Sequence, residues 1–324
     1  MQGIKQIAQA EGSFSVRELQ SRYGATSARH LLAAYAIKQK YEQLGEVFSP
    51  LGLPIDDDLN AQIDITTKAN QQGGYQGQFR GGTITIKDFD NIAVEEITEK
   101  VKVWFVGLEC QVRQETEDEI FGTIGVILPS KPMFTHAVHF PEADEFLKMG
   151  KPGTRTVELQ VLLYDDVPAD IVLTCNVIEH DSGDISEYKR RIAEALSKAA
   201  AAGLGAVGVP AEAVAANQSW MGTITWGLVN VLSGWLGADD DAYNPRGFRI
   251  PAKDILIDLR IKSGKIAGVT SPFQDKILKT EDTPGVVLRY NLDPVVVSGT
   301  DQGGDLGVYA LYFKVEPYSI ATSR

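Results

Sequence analysis

Two apolar runs, residues 156–164 and 170–179, flank an acidic turn that contains Pro168. Valine, isoleucine and leucine dominate both, and residues of that shape fit a pleated surface buried on one face or both. The two runs are expected to be neighbouring strands of one buried sheet. Beyond Glu179-His180-Asp181-Ser182-Gly183-Asp184 the apolar period turns helical, so a sheet hands over to helices at this point.

The same reasoning predicts strands over 83–87, 100–113, 119–128, 254–261, 285–292 and 307–315. Short strands separated by glycine, proline and aspartate indicate a sandwich. Pro129, Pro132, Pro141 and Pro152 mark the segment between two of these strands as a surface loop, with one helical turn over 142–149. A helical insertion interrupts the sheets. Ile185, Tyr188, Ile192 and Leu196 are spaced three and four apart, and Met221, Ile224, Leu228, Val231 and Trp235 repeat that spacing after a glycine-rich turn and Pro210. Residues 1–48 read as one or two amphipathic helices. Ser15 and Glu18 have capping-box spacing, and Gly24-Ala25-Thr26-Ser27 is the expected break. The fold expectation is α+β: N-terminal helices within residues 1–87, then an antiparallel β-sandwich over 88–324 with a helical hairpin inserted at 185–237.

Charge and motifs narrow the function. A net charge of −12 on 324 residues opposes nucleic-acid binding by phosphate neutralisation. No nucleophile elbow, phosphate loop, dinucleotide fingerprint or H-E-x-x-H stands in the chain, which removes the usual reasons to propose an enzyme. Cys110 and Cys175 each lie in an expected strand; two buried thiols and one cross-sheet disulfide both remain open, whereas a zinc site needs more ligands.

Acidic residues gather where strands are expected to end. Asp165, Asp166 and Asp170 form one such group and Asp239, Asp240 and Asp241 another. Calcium takes six to eight oxygens from flexible loops, so these residues are the candidate metal ligands and calcium the candidate cofactor. Aspartate also favours turns for its own reasons. Glu179, His180 and Asp181 invite an acid–base reading, but adjacent strand residues point to opposite faces and do not converge on one reacting atom. The insertion carries Trp220, Trp226 and Trp235 and few charges after Lys198. Such a hairpin either covers a sheet face or lies in a membrane interface, where those tryptophans would make the contact.

One stretch has a more specific pattern. Ile37, Lys40, Tyr41, Leu44 and Gly45 are followed by Ser49, Leu51, Gly52 and Pro54, then by Tyr75, Phe79, Gly81, Gly82 and Ile84. This spacing, over about residues 36–86, resembles one unit of the LGFP-repeat family. Units of that family occur in secreted and cell-wall-associated bacterial proteins and are linked to wall polysaccharide. The resemblance implies a non-enzymatic secreted or surface protein that engages cell-envelope polysaccharide or another glycan. Tyr75, Phe79 and Arg80 would then supply stacking and hydrogen bonds. The alternative is a membrane-active, toxin-like protein that uses the 185–237 hairpin against a membrane surface. Residues 1–12 lack the charged-then-apolar pattern of a secretory leader, so the cell-surface location is an expectation from the resemblance alone.

Overall fold

The computed structural model describes residues 16–88, 91–95, 99–129, 134–142, 145–150, 155–180, 190, 194, 241–264, 266–279, 283–301 and 303–319. Two compact units emerge, residues 1–100 with 319–324 and residues 101–318. The architecture is α+β, with antiparallel sheets throughout.

The first unit is one helix on one sheet. Helix α1 (Val16–Leu44) runs unbroken through Gly24, where the sequence predicts a break. A glycine costs about 1 kcal/mol in a helix interior, too little to end a run of good helix formers on both sides. Gly45, at φ +99°, closes the helix and leads into a short 3-10 turn, Glu46–Phe48. The sheet has the order β1 (Thr67–Ala69), β2 (Tyr75–Phe79), β3 (Gly82–Asp88) and β4 (Asn91–Glu95). Its inner face packs on α1 through Ala33, Ala36, Ile37, Tyr41, Leu51, Phe79, Ile84 and Ile86. Gly77 sets the distance: a Cβ there would lie 2.9 Å from the Cγ2 atoms of both Ile37 and Ile65, so the bare backbone lets the helix seat on the strand.

The second unit is a sandwich of two sheets. One has four strands, ordered β15-β16-β5-β9; the other is centred on β10 and β6. In chain order the strands are β5 (Glu99–Val112), β6 (Glu117–Ile127), β7 (His136–Phe140), β8 (Leu147–Gly150), β9 (Arg155–Asp166), β10 (Ile171–Glu179), β11 (Asp241–Ala242), β12 (Arg246–Ile250), β13 (Lys276–Lys279), β14 (Val287–Tyr290), β15 (Val295–Thr300) and β16 (Leu306–Ser319). Helix α2 (Ala252–Lys262) follows β12. The connections β5–β6 and β9–β10 therefore each arch from one sheet to the other, at opposite ends of the sandwich.

That topology corrects several expectations. The apolar runs at 156–164 and 170–179 are strands, but not neighbours: β9 pairs with β5 and β10 with β6. Residues 254–261 are helix, not strand. Ile255, Leu256 and Leu259 share a buried face at helical spacing, with Asp254 in the first turn and Arg260 and Lys262 in the last, where the helix dipole favours them. The end of the expected helical turn at 142–149 is instead in β8, drawn into register with β6, and β7 replaces part of the expected loop.

Aromatic residues join the two sheets. Phe105 of β5 meets Phe140 of β7 at 4.8 Å between centroids, and Phe313 of β16 meets Phe248 of β12 at 5.0 Å. Gly122 makes room for Phe140, since a Cβ there would stand 2.2 Å from the ring. On the far side of the four-stranded sheet, the β13–β14 hairpin adds a smaller core in which Leu288 packs with Val106, Ala310 and Tyr312.

Candidate functional site

The motif in the first unit builds its core. Ile37 is fully buried, and Tyr41 stacks on Phe79 at 4.7 Å between centroids while its hydroxyl donates to the Gly52 carbonyl at 2.8 Å. Gly52 itself has φ +62°, and Leu51 is buried beside it. The backbone N–H groups of Arg80 and Gly81 donate to the carbonyls of Leu53 and Leu51, which ties the Pro/Gly turn to the end of β2.

The expected sugar-stacking set is consequently not a solvent-facing set. Phe79 is 2% exposed and Arg80 4%. Tyr75 is half-buried, packed against the core and edge-on to His30 at 5.6 Å. Strand alternation is the reason: residues 75, 77 and 79 share the face that meets α1.

The opposite face carries the polar groups. Gln76 pairs in register with Thr85, and Thr85 with Ala93, so these three form one row across the sheet. They line an open cleft of about 680 Å³. Asn70, Gln71, Gln72 and Lys87 complete its polar lining. Asn70 shapes the mouth, its Oδ1 accepting from the backbone N–H groups of Gln72 at 3.0 Å and Gly74 at 2.8 Å. Gly74 is required at this turn because a Cβ would lie 2.0 Å from the Ile86 carbonyl oxygen. Four side-chain amides, one hydroxyl and one ammonium thus face a single opening. The alternating polar residues of β2 and β3 are the sequence signal for this face.

The acidic residues behave otherwise. Asp170 is buried, and its Oδ1 accepts from Arg249 Nη2 at 2.6 Å, Arg249 Nε at 3.2 Å and the Ala252 N–H at 3.2 Å. Asp165 accepts from the Tyr318 hydroxyl and stands 3.9 Å from Lys102. Asp166 is paired in the ladder with Val101. Among the described residues, no group of three or more His, Cys, Asp or Glu side chains is arranged to hold a metal ion. Asp241 opens β11, while Asp239 and Asp240 lie outside the described residues. Trp220, Trp226 and Trp235, with nearly all of the 185–237 insertion, lie outside them too. Among the described helices none is long and apolar enough to cross a membrane.

Glu179 and His180 end β10 structurally. Glu179 accepts from the Glu119 N–H at 3.1 Å, and the His180 ring packs against Phe121 and Phe146. Both cysteines are free and buried. Burial pushes the Cys110 thiol up to about 11, a hydrogen bond with Tyr309 offsetting part of that, and burial raises Cys175 as well. Neither is a thiolate at neutral pH, so Ellman's reagent should leave the native chain unlabelled and titrate two thiols after guanidinium unfolding. Rapid native labelling at mildly alkaline pH would contradict that burial.

No protein-family model, curated protein or solved structure matches this chain.

Proposed function

We propose that this chain is a non-enzymatic binding protein of the cell surface or exterior that engages envelope polysaccharide through its first unit. The observation that carries the reading is the amide-lined cleft on the outer face of β1–β4. A polyhydroxylated chain presents donors and acceptors along its length, and side-chain amides offer both in return. The resemblance of residues 36–86 to an LGFP unit points to the same ligand class, with its motif residues forming the scaffold and Gln72, Gln76, Thr85 and Lys87 making the contacts. The lining is neutral apart from Lys87, which suits an uncharged or N-acetylated glycan.

The test is co-sedimentation of the full chain with purified cell-wall polysaccharide. The wild-type protein should pellet. Gln76→Ala combined with Thr85→Val should weaken binding roughly tenfold, the loss of two hydrogen bonds at about 0.5–1.5 kcal/mol each. The melting temperature should hold, because both side chains lie on the face away from α1. Wild-type protein that stays in the supernatant ends the proposal.

A further inference from the structure

Helix α1 has a second apolar stripe that the sheet does not use. Leu32, Ala33, Ala36, Ile37 and Tyr41 are buried in the described part of the helix, whereas Leu31 is 44% exposed and Ala34 and Tyr35 are half-buried. Beside this stripe runs the non-strand segment 63–65, in which Ile63 is 75% exposed. Between them lies an open cleft of about 460 Å³. Its apolar lining comes from Tyr35, Tyr41, Ile63 and Ile65, and exposed Glu42, Glu46 and Asp64 make its rim acidic. Lys38 is the one cation of the lining, 3.9 Å from Glu42 and 67% exposed, so at that distance and exposure it offsets the rim only weakly. Exposed Leu31 and half-buried Tyr35 on the helix, with exposed Ile63 on the segment beside it, are more than scattered surface apolar residues, and Tyr35 and Ile63 share their cleft with three carboxylates.

We propose that this cleft docks a short amphipathic peptide segment bearing basic side chains. Apolar residues of the segment cover Tyr35 and Ile63 while its cations meet Glu42, Glu46 and Asp64. The charge pattern selects this occupant: an acidic segment would meet three carboxylates, and a purely apolar one would leave them desolvated without partners. The site is separate from the amide-lined cleft, which involves none of these residues.

The test is an amide chemical-shift titration of the uniformly labelled full chain with an end-blocked hexapeptide of alternating leucine and lysine, and with its leucine–glutamate counterpart. The basic peptide should shift the amides of residues 34–42 and 63–65 saturably, and the acidic one should not. The triple variant Glu42→Gln, Glu46→Gln, Asp64→Asn, all on exposed or rim positions, should weaken that binding about tenfold. Ile63→Ser, a solvent-facing change, should weaken it independently. Shifts spread over the whole acidic surface, or equal binding by the triple variant, overturn the proposal. So do shifts at these amides on raising protein concentration without peptide, which would make a second copy of the chain the occupant.

Discussion

Asp118→Ala should lower the free energy of unfolding by about 3 kcal/mol, read as a fall in the guanidinium midpoint at unchanged slope. Asp118 is fully buried at the start of β6, just past the arch from β5. Its carboxylate accepts from the Gln114 N–H at 3.2 Å, the Glu115 N–H at 2.9 Å and the Tyr309 hydroxyl at 2.6 Å. The first two shape the arch, and the third reaches across to β16 in the other sheet. Beside them Tyr243 donates to Gln114 Oε1 at 2.7 Å. Truncation strands the Gln114 N–H and the Tyr309 phenol in the interior and also removes the part-buried bond from the Glu115 N–H, and a buried unmet donor costs more than the bond was worth. Tyr309→Phe should cost less, about 1–2 kcal/mol, because Asp118 keeps its two backbone partners. The same network sets a pH limit. Burial first, then the neighbouring Tyr243 and the hydrogen bond to Asp118, raise Tyr309 above the usual phenol range. A folded-state value above the unfolded one means that this contribution is whole below about pH 10 and is lost as pH rises toward the folded value. The Tyr309 share of the phenolate absorbance, read as the difference from Tyr309→Phe, should therefore appear together with alkaline unfolding. An Asp118→Ala midpoint indistinguishable from wild type would remove the arch from the account of stability.

At the opposite end of the sandwich, Asp170→Ala should destabilise by a similar amount, about 3 kcal/mol. Asp170 sits at the start of β10 just past the second arch, where the Tyr164 hydroxyl also donates to the Val167 carbonyl at 2.7 Å. Arg249 of β12 and the first N–H of α2 converge on its Oδ1. Removal leaves the Arg249 guanidinium, three-quarters withdrawn from water, without its hydrogen-bonded counter-charge, and leaves the Ala252 N–H at the start of α2 without its acceptor. A double-mutant cycle with Arg249→Met separates the pair from the cap. The coupling energy should exceed about 1 kcal/mol, and additive losses would show that the guanidinium does not depend on Asp170.

These two carboxylates show what was and was not legible in the sequence. Where a strand lies is a local property, and the apolar runs at 156–164 and 170–179 carry it openly. Which strand it pairs with is not local: nothing in residues 155–180 says that β9 joins β5 and β10 joins β6. An acidic turn reads alike whether it is solvated, binds calcium or is buried on an arginine, and for Asp170 the answer comes from Arg249, far along the chain. Residues 254–261 misled for another reason. Isoleucines 255, 257 and 261 alternate in strand fashion, and the helix shows only when Pro251, Asp254 and the late basic residues are weighed with them. In the first unit the motif was legible as a pattern. That its aromatic members face inward, with the amides of Gln72 and Gln76 outward, required the register of β2 on β3.

Glu179 and Asp241 are partners across an antiparallel ladder, so their Cα atoms are about 5 Å apart. In sequence, the 61 residues from 180 to 240 stand between these two partners. The entropy of closing such an excursion grows only logarithmically, by about 0.6 kcal/mol for each doubling of length. Added length between residues 180 and 240 therefore costs the Glu179–Asp241 pairing little closure entropy.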